Sequence, residues 1–174
     1  MRIYVASKWA RRELTRDIMA ELVKLGHTIA YDWTQHKESK SSEKEYADEA
    51  AADVAGIRSA HLFIADMDDP AYPYRGTFFE MGVAVGANIP VVIVTPYVAF
   101  DPKNVAFHSN CFTTLPSIVR VATFTEALEV HAPRSRFTTE MLRSIADAVD
   151  PQQEDKNDRV LRHLAPDSCH NQWS

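Results

Sequence analysis

Short apolar runs alternate with stretches of helical periodicity, and that alternation leaves few folds open to this chain. Arg2–Ala6, Leu62–Ala65 and Pro90–Thr95 are nearly unbroken in apolar character. Strands wetted on one face would alternate with polar residues, so these runs belong to a parallel sheet covered on both sides. His27–Tyr31 and Ser117–Ala122 read as two further strands. After Ser7, a possible N-cap, Leu14, Ile18, Leu22 and Leu25 recur at helical spacing, and Gly26 is placed to end that helix. An alanine-rich helix is expected over Tyr46–Ile57, with Ala50, Val54 and Ile57 inward and Asp53 bordering the buried face. Further helices are expected at Thr77–Ala87 and Thr125–Val130. The pattern predicts an α/β fold: a flavodoxin/Rossmann-like three-layer domain with a mostly parallel five-stranded sheet, its ligand crevice lying beyond the carboxyl ends of the strands.

The 174 residues suffice for one well-buried core. The α/β domain is expected over residues 1–132, followed at 133–174 by a helical, partly flexible C-terminal extension that includes a helix at Thr138–Val149. The polar stretch Thr34–Glu45, with its KESKSSEKE run, reads as an exposed, mobile linker.

Charge and cysteine usage exclude several classes. A net charge of −5 leaves no cationic excess to neutralise a phosphate backbone, so no nucleic-acid polymer is expected as partner. No apolar run reaches membrane-spanning length, and Met1–Glu13 reads as strand and helix rather than export signal. Cys111 and Cys169 lie far apart and outside any CxxC pattern, which fits a reducing cytoplasm. The seven histidines form no ligand pair, so neither a metal nor a cofactor is expected.

The sharpest local feature is GTFFEMG, Gly76–Gly82, where a turn-rich loop enters an apolar helix. Thr77 and Glu80, three residues apart, have the spacing of a capping box. A carboxylate in a first helical turn would also feel the helix dipole, which favours its ionised, nucleophilic form. Ser7, Lys8, Arg11 and Arg12 follow the first strand at a place suited to an anion such as a 5′-phosphate. Asp66, Asp68 and Asp69, in the loop before Gly76, are candidate proton donors or simple turn residues.

Four segments in order, IYVAS, DVAGIRSAHLFIADMD, GTFFEMGVAVGANIPVVIV and HSNCF, resemble the nucleoside 2-deoxyribosyltransferase superfamily, which includes nucleoside 5′-monophosphate N-glycosidases. The resemblance spans roughly Met1–Val130. It implies an enzyme that cleaves the N-glycosidic bond of a (deoxy)nucleoside through a covalent glycosyl–Glu80 intermediate and transfers the sugar to another base. Asp53 would hold the sugar hydroxyls and Tyr4 would orient Glu80. Asn110 would enter the sugar pocket of a neighbouring subunit, making the protein a homodimer or higher homo-oligomer. Ser7, Tyr74, Arg75 and Gly76 are the remaining candidate substrate contacts. Tyr74 stands where many of these transferases carry an aspartate, which leaves protonation of the base unassigned. Two other functions fit the same residues: an N-glycosidase using water as acceptor, and a non-catalytic nucleotide-binding module.

Overall fold

The computed structural model describes residues 1–69, 71–98 and 111–131. The chain folds as five parallel strands, β1 (Arg2–Ala6), β2 (Thr28–Ile29), β3 (Leu62–Asp66), β4 (Val91–Val94) and β5 (Ile118–Val121), in the order β2-β1-β3-β4-β5. Among the described residues four helices accompany them: α1 (Arg12–Lys24), α2 (Glu43–Ser59), α3 (Arg75–Gly86) and α4 (Phe124–His131). β3 and β4 are buried along their whole length, and β1 from Ile3 onward. That is why their sequences read as continuous apolar runs. The expected helix at Thr138–Val149, the C-terminal extension and Asn110 lie outside the described residues.

The order of strands places the binding crevice. From β1 the chain steps one way to β2, then back across to β3 and onward to β4 and β5. Right-handed crossovers therefore put α1 on one face, and α2 and α3, which touch each other, on the opposite one. The sheet switches direction between β1 and β3, and the gap beyond their carboxyl ends is the natural ligand site of such folds.

Several expected boundaries move for identifiable reasons. β2 pairs only through Thr28 and Ile29, with one more bond from the Ala30 amide to Ile3, because Tyr31 leaves the sheet to pack against α2. Ser7 is not a helix cap: the chain first makes a 3-10 turn at Trp9–Arg11, and the Ser7 hydroxyl donates to Asp66 across the sheet at 3.1 Å. Gly26 does end α1, at φ 82°, with the amides of Gly26 and His27 closing onto the carbonyls of Val23 and Leu22. This double closure is the Schellman pattern. α2 begins at Glu43, capped by Ser42. Its inward stripe is Glu49, Asp53, Gly56 and Ile57, whereas Ala50 is exposed. Gly56 sets that phase: a Cβ there would stand 2.4 Å from the Tyr31 Cβ.

Candidate active site

Neighbouring elements bring three side chains to one point. β1 presents Tyr4, whose ring stacks on Phe63 of β3 with centroids 5.5 Å apart. Its hydroxyl lies 2.9 Å from Asp53 Oδ1 on α2 and 3.0 Å from Glu80 Oε1 on α3. A phenol has one proton to give. If both carboxyls were ionised, one contact would be an unprotonated oxygen pair between two negative charges. A proton shared across the pair removes that conflict.

The electrostatics agree. Burial, reinforced by the charge of Asp53, pushes the Glu80 carboxyl up from its ordinary 4.5 to about 7, although the Tyr4 hydroxyl pulls the other way. Burial also raises Asp53, against the Tyr4 hydroxyl, His36 and Lys40. Burial and both carboxylates hold the Tyr4 phenol far above its usual range, so it stays a neutral donor. The expected dipole effect at Glu80 is therefore overturned. α3 starts at Arg75, after Tyr74 as N-cap, which places Glu80 in the second turn and removes the Thr77–Glu80 capping box. Thr77 is buried within the first turn.

Asp53 and Glu80 face a cavity of about 400 Å³, a size suited to a small ligand. Ser7, Tyr74, Arg75 and Gly76 line it too, whereas Tyr4 is fully buried behind Asp53 and Glu80 and reaches the crevice only through them. Tyr74 forms part of the wall with its hydroxyl already engaged: it donates to Asp68 Oδ1 and accepts from the Asp69 amide, each at 3.0 Å. Its backbone is left-handed, at φ 43°.

The loop after β1 offers less to an anion than its sequence suggests. Lys8 pairs with Asp69 at 3.1 Å and Asp68 at 3.4 Å, and Arg11 pairs with Asp66 at 3.0 Å and Asp68 at 2.8 Å. Arg12 lies over the Trp9 ring. Three carboxylates thus already answer Lys8 and Arg11. Burial works against Asp68, yet Arg11, the Tyr74 hydroxyl and Lys8 hold it below the usual carboxylate range. The Lys8 bond and the Ala71 amide do the same for Asp69. Neither is suited to donate a proton near neutral pH.

The reading of Thr34–Glu45 as a solvated linker fails at three residues, the first being Thr34, which is buried. His36 and Lys40 both line the cavity, and Trp9 joins them from the turn after β1. His36 Nδ1 lies 3.3 Å from Glu49, and its Nε2 is 2.8 Å from the Tyr31 hydroxyl. Within so charged a segment nothing local separates the lysine that turns inward from those that do not. Trp33 also lines the cavity, with its indole N–H tied to the Val5 carbonyl at 2.7 Å.

An all-parallel α/β domain with a carboxyl pair at its topological switch point belongs to the doubly wound class that binds small ligands. The sequence profile of nucleoside 2-deoxyribosyltransferases matches residues 3–110, and the chain belongs to that family. Among solved structures it is similar to Clostridium botulinum CMP N-glycosidase BcmB, at 18% identity and a TM-score of 0.44, over 70% of this chain and 87% of that one. No curated protein matches the sequence. Among the described residues no helix is long and apolar enough to cross a membrane.

Proposed function

We propose that the protein cleaves the N-glycosidic bond of a (deoxy)nucleoside through a covalent glycosyl–Glu80 intermediate and passes the sugar to a second base. The observation that carries this reading is the Asp53–Tyr4–Glu80 contact at the cavity. In the reactive form Tyr4 donates to an ionised Glu80. The nucleophile is then charged, and the second oxygen of Asp53 can hold a sugar hydroxyl. Glu80 attacks the anomeric carbon while the bond to the base nitrogen breaks. The negative carboxyl group stabilises the oxocarbenium-like transition state, and the ester divides one difficult displacement into two easier ones. Ser7, Arg75 and Gly76 contact the substrate from the rim, and Asn110 serves the pocket of a neighbouring subunit in a homodimer or larger homo-oligomer. The reactants are a nucleoside or nucleotide and a free base, as in cytoplasmic nucleotide salvage.

A mechanism-based trap tests the reaction and the residue together. A 2-fluoro-arabinosyl nucleoside should stall the intermediate and add its sugar mass to the peptide containing Glu80. An adduct on another residue, or turnover of ordinary nucleosides with no adduct at all, would overturn the assignment.

One observation favours water as the acceptor instead. A transferase handles a base proton twice, once on departure and once on arrival. Tyr74, at the position where many relatives carry an aspartate, has its hydroxyl locked to Asp68 and Asp69 and, chiefly through burial, raised beyond its ordinary range. Sugar release measured with and without an added base separates the two: new nucleoside marks transfer, and base-independent free sugar marks hydrolysis.

A further inference from the structure

One lysine of the loop before α2 does not behave as a solvated side chain. Lys40 is 9% exposed, whereas Lys37, Glu38 and Ser39 before it and the residues at 41–44 after it are exposed. Its ammonium pairs with Glu49 Oε2 at 2.8 Å, donates to the Lys37 carbonyl, and lies 5.5 Å from the Trp9 ring centroid and 5.7 Å from that of Tyr46. Two aromatic faces and a carboxylate thus fix a long, flexible side chain in a wall of the cavity that also holds Asp53 and Glu80.

The donors do not balance within the protein. An ammonium has three N–H groups and no acceptor. Glu49 and Lys37 take two, and among the described residues the third has aromatic faces beside it but no hydrogen-bond acceptor. Trp9, in the same wall, has its indole N–H buried without a hydrogen-bond partner among the described residues. A buried, unsatisfied donor is costly, and an acceptor on a ligand removes the cost. Lys40 and Trp9 therefore bring donors and positive charge to the cavity that Asp53 and Glu80 also line.

We propose that Lys40, anchored by Trp9 and Glu49, is the leaving-group residue of this site: it hydrogen-bonds a carbonyl oxygen of the departing base and so selects dioxopyrimidine and 6-oxopurine nucleosides. The inference rests on the N-glycosidic reading above. As Glu80 bonds to the anomeric carbon, the electron pair of the carbon–nitrogen bond stays with the base, which leaves as an anion. In an oxo base that charge spreads onto the carbonyl oxygens, where an ammonium stabilises it. When the acceptor, a base N–H or water, attacks the anomeric carbon, its proton passes to the departed base and Glu80 returns as a carboxylate. An amino-substituted purine such as adenine has no such oxygen and gains little from the lysine.

The test compares wild type, Lys40→Gln, Lys40→Arg and Glu80→Gln on deoxyuridine, deoxyadenosine and 4-nitrophenyl 2-deoxyriboside, whose leaving group departs unaided. Wild type should favour deoxyuridine over deoxyadenosine. Lys40→Gln should lower kcat/KM for deoxyuridine about 100-fold, the scale of losing one preorganised charged donor. Its loss on the nitrophenyl glycoside should be far smaller, which also shows that the variant folds, and Lys40→Arg should recover most of the deoxyuridine rate. Equal losses on all three substrates, no loss with deoxyuridine, or a wild-type preference for deoxyadenosine would overturn the role of Lys40. Wild type inert toward all three would instead sink the N-glycosidic reading, and this inference with it.

Discussion

Two acidic clusters share one crevice and are treated in opposite ways. At the end of β3, Asp66, Asp68 and Asp69 are matched by Arg11 and Lys8, and Asp68 and Asp69 are held in the charged form. A few residues away in space, Asp53 and Glu80 have a single neutral phenol between them, and both are pushed toward the protonated form. The difference lies in the partner, not in the residue type. Carboxylates answered by cations hold the loop in shape, whereas a carboxyl pair left under-compensated beside a cavity has protonation states to exchange.

The largest effect expected from breaking this contrast is at Glu80. Glu80→Gln keeps the shape and removes the nucleophile, so turnover should fall by about a thousandfold or more, measured as base release. Next is the compensated cluster. Arg11→Met removes an ion pair of the fully buried Asp66 and should cost about 3 kcal/mol of stability in chemical denaturation. An unchanged denaturation midpoint would mean that the ion pairs are incidental to the fold.

Comparable in size and opposite in sign is the stability of Glu80→Gln. Because Glu80 is raised from 4.5 to about 7, the folded state binds its proton more tightly than the unfolded chain does. The cost of ionising it is absent below pH 4.5, grows as the pH rises, and is complete above about 7. The variant should therefore outlast wild type by about 3 kcal/mol at pH 8 and converge with it toward pH 4. For the same reason the acidic limb of the wild-type kcat/KM profile should have its midpoint near 7, with activity rising as Glu80 ionises. Tyr4→Phe, which deletes the bond that lowers Glu80, should move that limb to higher pH. A limb that stays in place would remove the phenol from the proton balance.

The layout of this fold was legible because buried parallel strands and amphipathic α1 write their environment into the sequence. The phase of α2 was not: in a helix so rich in alanine, periodicity cannot say which side is inward, and the deciding contact is between Gly56 and Tyr31, which lies 25 residues earlier in the chain. Thr77 and Glu80 had the spacing of a cap, but the hydrogen bonds of the Tyr74 hydroxyl hold the preceding loop so that the helix starts sooner. Glu80 stood out within GTFFEMG, but the roles of Tyr4 and Asp53 were reachable only through resemblance, since no spacing reveals that three elements converge on one hydroxyl. Lys40 gave no signal, because its anchors, Trp9 and Glu49, lie on two other elements.

The left-handed tyrosine at the head of α3 carries a consequence for how this crevice can change. Tyrosine in that conformation costs about 1–3 kcal/mol, a penalty that glycine would escape. Glycine would, however, delete the ring that walls the cavity and the hydroxyl that gathers Asp68 and Asp69. Backbone comfort and enclosure of the ligand are therefore opposed at a single position, and selection for a sturdier protein would be expected to erode the pocket there first.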